Sequence, residues 1–317
     1  MEEKPLVTIA IPTYKRPHLL PRALESVANQ TYKPLEVLVI DNGTPGEKNA
    51  ETIKSFQKRI TKLFYEKAPE NRGETVTNLR CINKAKGEFF MWLCDDDTIS
   101  PTYIEAAVET LQAYPEASFS ALQQKLVFSD HEYTTFPDDY MDDSWFRRML
   151  IFTIVNGCGK DGWMRGLSWI YGLHRTAPLR KATKGRLEEV RFWWPNQWME
   201  AGTLNDFLIL PEALLMSKVV PVTRKDAVLI TSCCEKKEYV LPGEGSAGFF
   251  GNQINKLKGA IFWVNLYWIH TKQVYKRGTF CHAILFAGLS IVILLYKLFL
   301  SLRQQVEGRL KKRNGGS

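Results

Sequence analysis

The chain has 317 residues, 45% hydrophobic, 12% aromatic and 24% charged. That apolar content excludes a disordered chain and the length excludes a disulfide-stapled mini-protein; one large or two ordinary domains fit. The net charge of +8 is uneven: residues 252–317 hold 11 Lys/Arg and one Glu, the rest 31 basic and 33 acidic residues. A near-neutral body argues against nucleic acid, whose binders spread basic groups along the folded domain. A basic tail beside an apolar stretch points instead to an anionic membrane surface. The six cysteines form no CxxC pair, and Met1-Glu2-Glu3-Lys4-Pro5 lacks the pattern of a secretory signal, so reduced cysteines in the cytosol are expected.

In chain order, Leu6–Ile11 is a continuous β-rich apolar run, predicting a strand buried on both faces. Leu20, Leu24 and Val27 mark one face of a helix over 19–29. Leu35–Ile40 predicts a second buried strand, stopped by Asp41-Asn42-Gly43. A helix over 47–59, a short strand over 60–65, a turn at Asn71-Arg72-Gly73 and a helix over 75–85 follow. Phe89–Cys94 predicts a third strong strand, and Asp95-Asp96-Asp97 comes directly after it. Ser100-Pro101 opens a helix to about Ala113, with Pro in the first turn, where its missing N–H costs least. From 119 to 240 the pattern is irregular and rich in Trp, read as a continuation of the same domain.

Strands separated by helices predict an α/β fold with a mostly parallel, Rossmann-like sheet and flanking helices. Ligands bind such sheets at the carboxyl ends of the strands. Thr13, Asp41 and Asp95–Asp97 all fall at predicted strand ends, so they should share one edge although they are far apart in the chain. Three adjacent carboxylates repel one another unless a cation is present. Oxygen ligands suit Mg2+ or Mn2+, which would recruit a diphosphate. The plainer alternative is a helix cap or a solvated turn; the buried strand before the cluster and the second strand-end aspartate weigh against it.

Four blocks, Val7–Tyr14, Leu24–Tyr32, Glu36–Gly43 and Lys86–Asp97, resemble in order and spacing the family 2 glycosyltransferases of GT-A fold, across about the first 110 residues. The resemblance implies a nucleotide-sugar donor, UDP-linked first of all, a divalent metal (Mn2+ or Mg2+) and inversion at the anomeric carbon. Thr13 would then lie beside the nucleoside, and Asp41 would accept hydrogen bonds from the base. The aspartates look like the family's DxD motif: Asp95 would face the ribose or sugar, and Asp96 would be the best metal ligand, with Asp97 the alternative. Three positions depart from the common pattern: Cys94 stands where many members carry the first aspartate, Lys15 replaces a common Asn, and Asn42 a common second Asp.

The family's general base precedes an apolar helix in the second half, and Asn205–Leu215 is similar to that segment. Asp206 is therefore the expected base, with Glu200 in reserve; a helix N-cap is the plain alternative for Asp206. His174 follows Trp169–Leu173, which resembles the wall near the donor sugar, and is held as an acceptor or phosphate contact beside its ordinary role in packing. Trp163 and Trp198 are acceptor-site candidates, although most large aromatics fill cores. No QxxRW pattern is present, which within this resemblance favours transfer of a single sugar.

The expected organisation is a GT-A domain over 1–240, a glycine-rich linker over 241–251, and basic, apolar C-terminal helices over 252–317. Phe280–Tyr296 is apolar with basic residues on both sides, borderline for a span of about 20 residues. Basic flanks at both ends favour a tail lying in the cytosolic leaflet over a full span; core or oligomer-interface helices are the other option. The acceptor expected is a glycan or a lipid-linked sugar. A sugar-phosphate nucleotidyltransferase and a non-catalytic nucleotide-sugar-binding protein remain as rival readings.

Overall fold

The computed structural model describes residues 3–128, 130–136, 143–150, 168–184 and 217–232, and in the tail 271, 274–275, 278–279, 281–292 and 295. The chain divides into two compact units, one of Met1–Trp145 with Leu167–Gly245, the other of Phe146–Gly166 with Ser246–Ser317. The division thus falls inside the glycine-rich stretch 241–251, and the second unit takes in 146–166 as well as the tail.

The first unit begins β1 (Val7–Thr13), α1 (Leu20–Ala28), β2 (Leu35–Asp41), α2 (Lys48–Phe56), β3 (Leu63–Lys67), α3 (Glu74–Lys84) and β4 (Phe89–Trp92). It continues with β5 (Asp97–Ile99), α4 (Tyr103–Ala113), β6 (Ala117–Ala121), β7 (Gln123–Val127) and β8 (Glu132–Thr135). A 3-10 turn (Ser168–Tyr171), β9 (Leu173–Arg175), α5 (Thr176–Thr183), β10 (Lys218–Pro221) and β11 (Val228–Ser232) complete the described part. Among the described residues the main sheet runs β10-β6-β9-β4-β1-β2-β3, and a second sheet β5-β11-β7-β8. β1, β2, β3 and β4 are mutually parallel, while β9 is antiparallel to both β4 and β6.

All seven residues of β2 and all but one of β1 are buried, as the unbroken apolar runs predict. Each fully buried Val, Leu or Ile contributes about 1.5–3 kcal/mol, so these two strands anchor the core. On α1 the buried Leu20, Ala23, Leu24 and Val27 repeat at helical spacing, with Pro21 in the first turn. Gly87 is required where β4 begins: a Cβ there would lie 2.6 Å from the Thr8 backbone nitrogen. The helices start and stop within a few residues of expectation. The departure is Asp97, expected in a loop. It opens β5, because Asp97–Ile99 pairs antiparallel with Leu229–Thr231 of β11, a partner 130 or more residues later.

In β1–α1–β2–α2–β3 the chain steps one way across the sheet; α3 then returns it to pair β4 on the other side of β1. The reversal at β1 makes a topological switch point, and the crevice at the carboxyl ends of β1 and β4 is where such sheets bind ligands.

In the second unit, a helix described over 281–292 and at 295 buries Ala283, Phe286 and Ser290 and exposes Ile284, Leu285, Ile291, Val292 and Leu295. The Phe146 ring meets the His282 ring edge-on at 4.8 Å, joining the 146–166 segment to the tail. Among the described residues no helix is long and apolar enough to cross a membrane. The membrane-associating helices expected over 252–317 are therefore not shown as such.

Candidate active site

Thr13 ends β1 in register with Asp41, the last residue of β2, and Asn42 N–H donates to the Thr13 carbonyl at 2.9 Å. On the other side of β1, Leu93 N–H donates to the Ala10 carbonyl, after which Asp97 N–H closes a turn on the Cys94 carbonyl. This turn throws Asp95 inward and leaves Asp96 partly exposed. The sequence expectation of one shared edge thus holds: Asp41, Thr13 and the aspartate turn sit side by side at the carboxyl ends of β2, β1 and β4.

Asp95 is fully buried, takes a 2.7 Å hydrogen bond from Thr13 Oγ1 and pairs with Arg16 at 2.8 Å. Arg16 also donates to Asp96 Oδ2 at 2.9 Å. Thr13 and Asp95 therefore brace the rim with the groups expected to face the donor. Burial pushes the Asp95 carboxyl up to about 7 against the pull of Arg16. Burial, then Asp96, holds Asp97 well above the usual carboxylate range. Arg16 was missed as a site residue; the need of adjacent carboxylates for a cation, applied to the basic residues beside Thr13, would have found it. Its approach depends on Lys15, which holds φ 55 and donates its N–H to Thr44 Oγ1 at 2.9 Å. A non-glycine residue in that left-handed region is costly and concentrates at functional sites.

The Asp41 carboxylate is buried and accepts three hydrogen bonds, from Thr44 N–H at 2.7 Å and from Asn49 Nδ2 and Tyr65 Oη, each at 2.8 Å. Those bonds use three of about four acceptor positions, and they fasten the loop after β2 to α2 and β3. Asn49 and Tyr65 carried no signal in the sequence. Gly43 is needed in that loop, since φ is +86° and a Cβ would stand 2.7 Å from the Glu70 carbonyl carbon. Asn42 donates from Nδ2 to Asn71 Oδ1 at 2.8 Å and accepts from Arg72 N–H at 2.9 Å. An aspartate at 42 could accept but not donate.

Cys94 Sγ and carboxylate oxygens of Asp96 and Asp97 all lie within 4.8 Å of one another. Asp97 is 2% exposed and its Oδ1 has no hydrogen-bond partner. An orphaned, buried carboxylate oxygen beside two further ligand atoms fits a divalent cation. The Cys94 thiol donates to Tyr171 Oη at 3.3 Å, and burial and the two carboxylates hold it well above its ordinary value.

His174 does not reach this rim as a polar contact. It is 1% exposed in β9, stacked on Phe119 with ring centroids 4.7 Å apart and edge-on to Trp92. Its Nε2 stands 3.0 Å from the Ile170 carbonyl, and burial pulls its pKa down to about 4. The side chain is a packing element of the sheet, which corrects the expected acceptor or phosphate contact. Asp206, Glu200, Trp163 and Trp198 lie outside the described residues.

Residues 8–154 match the family described as Glycosyl transferase family 2. An uncharacterized glycosyltransferase of Rickettsia prowazekii (strain Madrid E) is 30% identical over 167 residues, 49% of either chain. One from Methanocaldococcus jannaschii is 29% identical over 104 residues, covering 32% of this chain and 36% of that one. The chain thus spans about half or less of the length of these curated relatives. Among solved structures, S. aureus TarS 1–349 in complex with UDP-GlcNAc superposes with TM-score 0.58 at 14% identity, over 90% of this chain and 71% of that one. The complex of the same protein with UDP also gives 0.58, at 13% identity, over 90% and 70%. The fold is GT-A-like, and the likeness to family 2 glycosyltransferases lies within residues 8–154.

Proposed function

We propose that the protein moves a single sugar from a nucleotide-sugar donor, a UDP-sugar first of all, to an acceptor hydroxyl with inversion. The observation that carries this reading is the side-by-side placement of Asp41, Thr13 and the Cys94–Asp97 turn at the switch point of the sheet. The structural likeness to a protein solved with UDP and UDP-GlcNAc supports the choice of donor.

The nucleoside would lie over the ends of β1 and β2, where Thr13 and Asp41 shape its pocket and Asp41 has one acceptor position left for the base. The diphosphate would lie toward the aspartate turn, with Asp96 and Asp97 holding a divalent cation. When bound, that ion supplies charge neutralisation at the departing diphosphate. Arg16 stands at the same rim as a second positive charge. The acceptor oxygen attacks the anomeric carbon as the bond to the diphosphate breaks, and Asp206 takes the acceptor's proton.

We also propose that the tail rests on an anionic, cytosol-facing membrane, bringing the site to a glycan or lipid-linked acceptor. At 3.6 residues per turn, Ile284, Leu285, Ile291, Val292 and Leu295 fall within an arc of about 120°. Eleven basic residues against one acidic accompany that stripe over 252–317, a combination suited to an interfacial helix.

The test incubates the full chain with UDP-sugars, an acceptor panel and Mn2+ and identifies the leaving group. UDP release coupled to sugar transfer supports the reading; pyrophosphate release would select a nucleotidyltransferase. Asp206→Asn should keep donor binding and lose transfer.

A further inference from the structure

The cluster at the aspartate turn contains a sulfur atom. Cys94 lies one residue before the three aspartates, and its Sγ stands within 4.8 Å of oxygens of both Asp96 and Asp97. The side chain is held there by two constraints. Its carbonyl closes the turn on Asp97 N–H, and its thiol rests against Tyr171 Oη at 3.3 Å. A thiol is a weak donor, so that contact is readily exchanged for a stronger one. A further sign of a missing ligand is Asp97 Oδ1: the carboxylate takes a side-chain hydrogen bond from Thr231, yet this oxygen, in a residue 2% exposed, has no hydrogen-bond partner.

We propose that Cys94 is itself a ligand of the cation, making a mixed sulfur–oxygen site that takes Zn2+ or Co2+ in preference to Mg2+, with Mn2+ between them. This inference rests on the donor-site reading and adds the chemical class of ion. Mg2+ demands near-octahedral oxygen coordination and binds sulfur poorly. Thiolate ligands select softer ions, and among first-row divalent ions an N, O or S site generally binds Co2+ and Zn2+ more tightly than Mn2+. An aspartate at 94 would give an all-oxygen set suited to Mg2+ or Mn2+. The cysteine is therefore the residue that sets the preference.

The probe is Co2+ alone, titrated into the full chain and followed by near-ultraviolet absorption. A sulfur-to-cobalt charge-transfer band is expected to grow with saturation, to be lost in Cys94→Ser and to be weakened in Asp96→Asn. The remaining five cysteines are unchanged in both variants, so they cannot produce the difference. Competition for bound Co2+ should give the order Zn2+, then Mn2+, then Mg2+ in the wild type, and Cys94→Asp should raise the Mg2+ affinity relative to Co2+. If Cys94→Ser proves unfolded by circular dichroism, the wild-type competition order and Cys94→Asp carry the test. A band undiminished in folded Cys94→Ser, an unchanged Mg2+ to Co2+ affinity ratio in Cys94→Asp, or a wild type that prefers Mg2+ would overturn the proposal. If no Co2+ binds yet UDP-sugar still does, the sulfur ligand is refuted and the donor site stands. If neither binds, both fail.

Discussion

Thr13 Oγ1 donates to Asp95 Oδ2 across 2.7 Å, joining residues 82 positions apart. That bond ties the end of β1 to the turn after β4, and Arg16 closes the same junction from the loop beyond Thr13. The rim of the crevice is thus braced by an internal ion pair before any ligand arrives.

The brace is expected to matter for stability. Removing one partner of a buried pair leaves the other charge uncompensated, at a cost of about 3–5 kcal/mol. At pH 8, where Asp95 is ionised, Arg16→Met should lose about 3 kcal/mol in urea unfolding. Adding Asp95→Asn should recover at least about 1 kcal/mol relative to the sum of the single changes. Strict additivity would show that the pair is not coupled.

Tyr65→Phe removes one of three donors from the Asp41 carboxylate. Unfolding free energy should fall by about 1.5–3 kcal/mol, the value of a hydrogen bond to a charged group. Donor affinity should fall with it, because the loop proposed to line the nucleoside loosens; calorimetry with UDP checks this. Unchanged stability and affinity would remove the fastening role given to Asp41.

His174 sets a pH dependence. Its folded pKa, about 4, lies below the ordinary 6.5, so the neutral ring is the form the fold prefers. The unfolded chain takes up the proton first, and the stability held above pH 6.5 is lost as pH falls toward 4. By pH 5 the loss from this group should be about 2 kcal/mol. Comparing His174→Gln with the wild type by urea unfolding at pH 7.5 and 5 isolates it. An equal acid loss in both would contradict the burial of an uncharged imidazole.

Replacing Ile284, Leu285, Ile291 and Val292 together by Ser should release the protein from vesicles containing anionic phosphatidylserine in a flotation assay. Raising salt should weaken the wild type's binding, because basic residues supply part of the attraction. Flotation of the quadruple variant equal to that of the wild type would refute the interfacial role of the stripe.

The rim was legible in the sequence because buried parallel strands announce themselves as unbroken apolar runs, and their carboxyl ends then follow. Asp41 and the aspartate turn were found that way. What fills those ends was not legible. Arg16, Asn49 and Tyr65 act through distances set by the loops, and no local period marks them. Asp97 was read as loop because its strand is only three residues long and owes its existence to β11. His174 was placed near the donor wall by resemblance, while its burial comes from Phe119 and Trp92, contacts between β9 and two other strands.

The most direct test of the central claim, that carboxylates gathered at the ends of β1, β2 and β4 bind an activated sugar, is calorimetric titration of UDP-GlcNAc with Mn2+ into wild type and Asp96→Ala. Saturable binding by the wild type, weakened about tenfold or more in the variant, is the predicted result. Equal affinity in the two proteins, or none in either across UDP-sugars, would contradict it.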